Sequence, residues 1–228
     1  MNKLGLALLA TLVTATSACD TSTAGANDVL LFTPRDCGRI GCSFNLSIGT
    51  GGLVDVQIDP IGETSTAGIT LFADPDFVLD VVPVTDNGQP TWEMLGVSPG
   101  IARLIAIDTD GIEVDFLEVV VQDADGLELL PVLGDAVGPD TSNPSYDQVW
   151  TINADQAVSF NLAQSIGGET MMGRFVYTAT IDQEISDGLI NTNDVSEGVL
   201  HFQVPVGQYQ ATFASTSGLT FDALFDAQ

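Results

Sequence analysis

From Val29 onward the chain consists of short stretches in which apolar and polar side chains alternate, and a period of two marks half-buried strands. Leu53 to Ile58 sets Val54, Val56 and Ile58 on one face and Asp55 and Gln57 on the other. Val29 to Thr33 and Phe44 to Ile48 read as strands before it, with Gly49 to Gly52 as a turn. Ile69 to Phe72, Phe77 to Val84 and Thr91 to Leu95 follow, divided by Asp-Pro-Asp and Asp-Asn-Gly-Gln-Pro. Pro83 has no amide hydrogen and suits an edge or a strand end. Ile101 to Asp108 and Ile112 to Val121 form the strongest pair, because Asp110-Gly111 between them supplies the backbone angles of a tight hairpin. In the later of these strands the apolar phase slips from Ile112, Val114 and Phe116 to Leu117, Val119 and Val121. One face cannot hold both sets, so a bulge or sheet switch is expected near Phe116 to Leu117.

Asp123 to Leu133 closes this first set. Gly134 to Ser145, rich in Gly, Pro, Asp and Ser, reads as a linker. Beyond it, Val149 to Ile152 and Ala157 to Leu162 are strands around an Asn-Ala-Asp-Gln turn. Arg174 to Asp182 alternates with Phe175, Tyr177, Ala179 and Ile181 inward. After a polar loop from Asp187 to Gly198, Val199 to Val204 and Gln208 to Ser215 read as a hairpin. It buries Leu200, Phe202 and Val204 on one arm and Tyr209, Ala211 and Phe213 on the other.

Many short strands and no amphipathic helix give an all-β class, with two tandem β-sandwiches. The first set is similar to a bacterial immunoglobulin-like domain of the group-2 type. The residues that carry the resemblance are Leu53 to Ile58, Asp74-Pro-Asp-Phe-Val-Leu-Asp-Val81, Gly100-Ile-Ala-Arg-Leu-Ile-Ala-Ile107 and Val119-Val-Val121, within a span from Val29 to Gln122. It departs from that group in lacking an early aromatic; Trp92 comes late instead. In the second set Pro205-Val-Gly-Gln-Tyr209 resembles the Gly-x-Tyr start of a late immunoglobulin-type strand, which implies a tyrosine hydroxyl bonded back to a corner. The expected organisation is a signal peptide over 1–18, a flexible tether over 19–28, an immunoglobulin-like β-sandwich over 29–133, a linker over 134–145 and a second such sandwich over 146–228.

The first nineteen residues carry Lys3, then an apolar run from Leu4 to Val13 too short to cross a bilayer, then the small residues Ser17 and Ala18 before Cys19. This is an export signal. Thr16-Ser-Ala-Cys19 resembles the lipobox of bacterial lipoproteins, with Thr16 where an aliphatic residue is usual. The resemblance implies a diacylated Cys19 and a covalent membrane anchor. The other reading is an ordinary cut near Ala18 that leaves a free thiol.

Charge narrows the partners further. The sequence of 228 residues has 31 acids and a formal net charge of −26, and once the signal is cut four arginines and no lysine remain. Such a body repels phosphate backbones and anionic headgroups, which excludes nucleic acid as a partner and leaves no basic patch for membrane attachment. The acidity reads either as adaptation to high salt, where screening relieves self-repulsion, or as cation binding. With 45% hydrophobic residues there is ample material for packed cores. Cys37 and Cys42 are expected to form a local disulfide across Gly-Arg-Ile-Gly. Zinc would need further ligands, and the single His201 lies far along the chain.

No catalytic motif is present: no nucleophile elbow, His-Glu-x-x-His, phosphate loop or dinucleotide fingerprint. His201 falls on the polar face of its strand and reads as an exposed structural histidine. Asp108-Thr-Asp110-Gly and Asp123-Ala-Asp125-Gly each set two carboxylates beside a glycine turn, at either end of one strand. Oxygen ligands in turns suit calcium. The same dipeptide is also the ordinary hairpin choice, and neither copy completes a longer calcium loop. The functional expectation is a non-enzymatic, lipid-anchored envelope protein with a structural or adhesion role, contacting an envelope protein or glycan. The alternative is a periplasmic or surface lipoprotein that captures calcium or a glycan in the loops Gln164 to Met172 and Asp187 to Gly198. Inner membrane, outer membrane and cell surface all remain open.

Overall fold

A computed structural model describes residues 21–35, 42–62, 65–86, 89–181, 189–191 and 198–228. Cys19 and Cys37 lie outside them. Among the described residues all regular structure is β, arranged in four sheets that pair into two sandwiches.

In the first sandwich one sheet runs in the order β1 (Thr23–Ala24), β2 (Leu30–Arg35), β4 (Leu53–Pro60), β7 (Gln89–Gly96), β6 (Leu79–Asp86). The facing sheet runs β3 (Ile48–Gly49), β9 (Glu113–Gln122), β8 (Gly100–Ile107), β5 (Thr70–Asp74). Every pairing is antiparallel except that of the short β3, which lies parallel to the last strand β9. This is the immunoglobulin order, with the first strand split between the two sheets. The alternation in β4 does what its period predicts: Val54, Val56 and Ile58 are buried beside Phe32, Trp92, Met94 and Leu104. Burying a side chain of this size stabilises the fold by roughly 1.5 to 3 kcal/mol.

The second sandwich repeats the plan. One sheet runs β10 (Gly126–Leu133), β13 (Val158–Ile166), β17 (Val199–Gln203), β16 (Leu189–Asn191), with β14 (Glu169–Thr170) paired to β13. The other runs β11 (Ala136–Asp140), β12 (Gln148–Ile152), β19 (Thr220–Ala227), β18 (Gly207–Ser215), β15 (Tyr177–Ile181), and β12 lies parallel to the last strand β19. Its core is aromatic: Trp150 meets Phe160 edge-on at 5.1 Å, and Phe160 meets Phe225 at 5.4 Å. Such ring pairs add about 0.5 to 1.5 kcal/mol each beyond area burial. Burial also raises the pKa of the Tyr177 hydroxyl above its ordinary value.

Six expectations change. The strand expected over Phe44 to Ile48 is a turn closed by the Leu46 amide on Ser43 O, and only Ile48 enters β3. The expected bulge at Phe116–Leu117 sits instead at Val114, where the partner of β8 jumps from Asp115 to Glu113. The inward phase of β9 starts at Asp115, a fully buried carboxylate that alternation scoring reads as polar and outward. The expected tether is built into the first sandwich from Thr21 on, because that same carboxylate accepts hydrogen bonds from the amides of Asn27, Val29 and Leu30 at 2.8 to 3.0 Å. Residues 127–133, assigned to the end of the first sandwich, form β10 and pair with β13, burying Leu127 and Leu129 in the second core. The expected linker 134–145 holds β11, which pairs with β12; its exposed side chains and its Gly and Pro content hide it from a composition reading. The expected hairpin of Val199–Val204 with Gln208–Ser215 is a crossing between sheets, since β17 pairs with β13 and β18 with β19. The implied tyrosine corner makes that crossing: Tyr209 Oη donates to the Pro205 carbonyl at 2.9 Å.

Candidate functional site

The carboxylates proposed for calcium do not converge. Asp108 and Asp110 precede β9 and Asp123 and Asp125 follow it, and a strand of ten residues separates its ends by about 33 Å. Asp108 Oδ1 accepts the amides of Asp110 and Ile112 at 2.9 Å, closing its own turn. The Asp125 carboxylate accepts the Gly167 amide at 3.0 and 3.1 Å, fixing the tip of the β13–β14 hairpin. Among the described residues no three His, Cys, Asp or Glu side chains are placed to hold a metal ion. The bare-turn reading accounts for Asp108 and Asp125.

Cys42 is buried at the edge of the first core. His201 is half-buried, and its Nδ1 lies 2.7 Å from Ser159 Oγ, the residue opposite it on β13, so it ties two strands of one sheet together. The expected capture loop Gln164 to Met172 is a hairpin with Met171 and Met172 buried. Of the other capture loop, 187–188 and 192–197 lie outside the described residues.

What the fold does assemble is the junction of the two sandwiches. After the β14 hairpin the chain leaves its own sheet and lies along the first sandwich. The Met172 amide donates to Ser47 O at 2.8 Å, and the Gly49 amide donates to Met172 O at 3.1 Å. Leu53 and Arg174 exchange both backbone hydrogen bonds, at 3.1 and 2.7 Å. Met172 fills the first core and Phe175 the second. The Arg174 guanidinium forks onto Asp55, with Nη1 to Oδ2 at 3.2 Å and Nη2 to Oδ1 at 3.1 Å. Nη2 also reaches Glu93 Oε2 at 3.0 Å. Planar, bidentate geometry makes such pairs stronger than a single contact.

Close approach at this point depends on glycine. A Cβ on Gly49 would stand 2.5 Å from the Phe175 ring, and one on Gly52 would stand 2.8 Å from it. Gly173 adopts φ 139°, a conformation that side chains disfavour. Gln164, 1% exposed, faces this contact with neither its Oε1 nor its Nε2 hydrogen-bonded. On one side of the junction lies a cleft of about 490 Å³ lined by Thr50, Gly51, Asp123, Ala124, Thr216, Ser217 and Leu219. On the first sandwich beside Arg174 lies a groove of about 410 Å³ that includes Arg35, Gln57 and Thr91.

The alternation places Phe175 inward, as found, but gives no role to Asp115 or Arg174. The available signals are an acid inside an apolar alternation, and an arginine after glycine in a chain with only three other arginines.

The strand order and the tyrosine corner define two immunoglobulin-like sandwiches in series. No family model matches the chain, and no curated protein matches its sequence. Solved structures that resemble it include the Escherichia coli adhesin FdeC, at 13% identity and TM-score 0.32, covering 80% of this chain and 60% of that one. SGBP-B of the Bacteroides ovatus mixed-linkage glucan utilization locus, solved with a mixed-linkage heptasaccharide, is 18% identical at TM-score 0.34, covering 85% and 47%. The D00-D0 domain of intimin is 13% identical at TM-score 0.28, covering 82% and 98%. The chain thus spans less than two thirds of the first two. At these scores the superpositions are loose, and the fold assignment rests on strand order.

Proposed function

We propose that this is a non-enzymatic, exported envelope protein, anchored by lipid on Cys19, that presents two sandwiches in fixed relation as a structural or adhesion module. The observation that supports it is the junction: a paired return segment and a bidentate ion pair tie the second sandwich to the first. Extended modules that contact proteins or glycans do so through their edges and loops. A disulfide between Cys37 and Cys42 belongs to the same reading, and unreduced mass spectrometry showing two free thiols refutes it.

Fractionation tests the anchor. The protein is expected in the membrane fraction and Cys19→Ala in the soluble exported fraction; a variant that stays in the membrane overturns lipidation. Protease shaving of intact cells then reports whether the sandwiches face outward. The glycan form of the capture reading has one observation in its favour, the junction cleft with Thr50, Thr216, Ser217 and Asp123 on its walls. Saturable calorimetric titration with a glycan, lost in Asp123→Ala, would replace the module reading with capture.

A further inference from the structure

The path by which the chain enters the first sandwich carries a consequence for how the protein meets a membrane. Thr21 is already fixed: its amide donates to Cys42 O at 3.0 Å, and Ser22 Oγ lies 2.8 Å from Thr33 Oγ1. Only Asp20 stands between Thr21 and Cys19, so two residue steps, about 7 Å at full reach, separate the cysteine from the folded body.

The position of Thr21 follows from strand direction. β2 begins at Leu30, paired with Pro60 at the end of the first sandwich far from the junction, and finishes at Arg35, opposite Asp55. Asp55 in turn holds Arg174 of the second sandwich. β1 is antiparallel to β2, so stepping back from Ala24 to Thr21 moves toward the junction. The chain therefore enters near the waist of the two-sandwich body. The far tips lie elsewhere. The Asp108–Gly111 turn is separated from the junction by the whole length of β9, about 33 Å. β19 starts beside Leu219 at the junction cleft and runs about 26 Å to the other tip.

Charge points the same way. From Val29 to Val54 the sequence holds a single acid, Asp36, against Arg35 and Arg39, half of the arginines left after the signal is cut. Gly198 to Phe221 holds no acid either, but it belongs to the second sandwich. Beside Thr21 lie Cys42 and Ser43, and from Ser43 to Val54 there is no carboxylate to repel headgroups.

We propose that the phospholipid bilayer carrying the acyl chains of Cys19 lies against this waist, beside Thr21 and the Ser43–Leu46 turn, and that both sandwich tips project away from it. The protein sits side-on instead of standing on one end. This rests on the lipid-anchor reading and adds an orientation to it.

The test uses the full chain, expressed with its own signal, purified with its lipid and placed in phosphatidylcholine vesicles holding a headgroup-labelled acceptor. One fluorescent noncanonical side chain is introduced at Asn45, Asp110 or Val206, all exposed. Strong energy transfer from Asn45 and its loss at both Asp110 and Val206 is the expected result. Transfer from either tip as strong as from Asn45 overturns the side-on arrangement. So does absence of transfer from Asn45 in protein that still floats with the vesicles, and self-quenching of that label then assigns the face to a second copy. Flotation itself reads the anchor separately: a wild-type chain that fails to float, or a Cys19→Ala chain that floats, removes the lipid reading and this orientation with it.

Discussion

Arg174 of the second sandwich grips Asp55 of the first through two parallel hydrogen bonds, and the same guanidinium reaches Glu93 on the neighbouring strand. All three side chains are about two-thirds or more buried. Arg174→Ala leaves two carboxylates facing each other without their cation. The expected loss is about 1 to 2 kcal/mol, after discounting for partial solvent screening. Calorimetry checks it: one merged unfolding transition is expected for the parent and two separated ones for the variant. Arg174→Lys should restore little, because an ammonium cannot fork.

Asp115 carries the N-terminal segment. Its carboxylate accepts the amides of Asn27, Val29, Leu30 and its own neighbour Phe116 while being completely buried. Asp115→Ala orphans the buried Leu30 amide among others, at about 1 to 3 kcal/mol for each unsatisfied group. Urea denaturation of the soluble chain should show a drop of roughly 3 kcal/mol or more on that basis. Limited proteolysis should cut early within residues 21–29. A protein that keeps its midpoint and resists cleavage there would show that water replaces the carboxylate.

Gly49→Ala drives a methyl into the Phe175 ring. Overpacking of this kind costs about 1 to 3 kcal/mol. Phe175→Leu should recover part of that when combined with it, so a double-mutant cycle by denaturant unfolding is expected to give a coupling of about 0.5 kcal/mol or more. Additive effects would place the strain in the backbone of the turn and not against the ring.

With 31 acids and few cations, self-repulsion opposes compaction at low ionic strength. Thermal midpoints should rise from dilute buffer to molar sodium chloride as the screening length falls from about 30 Å to about 3 Å. Calcium at matched ionic strength should add nothing, since Asp108 and Asp125 already serve their own turns. A calcium-specific rise reversed by EDTA would restore a metal site.

Strand existence was legible wherever one face is apolar and the other polar, as in β4, because the period of two records burial directly. It failed where burial and polarity part company. Asp115 faces inward although it is polar, so alternation places the bulge two residues late and gives no sign that the N-terminal segment is held. β11 is a true strand with exposed side chains, and nothing in its composition distinguishes it from a linker. Sheet membership is the other loss: β17 and β18 alternate as a hairpin would, and their pairing with β13 and β19 shows the crossing that the Tyr209 hydroxyl on Pro205 closes. The junction was invisible for a related reason. Arg174 and Asp55 are 119 residues apart, and a lone arginine carries no mark of its partner.

Met172 belongs to the first core although it is supplied by the second sandwich. A chain synthesised from its N-terminus presents residues 21–122 well before it presents 172. During that interval the first sandwich has a gap in its interior and lacks the strand-like partner for Ser47, Gly49 and Leu53. Completion of the first unit therefore waits on synthesis of about fifty more residues, and the two sandwiches mature together and not one after the other.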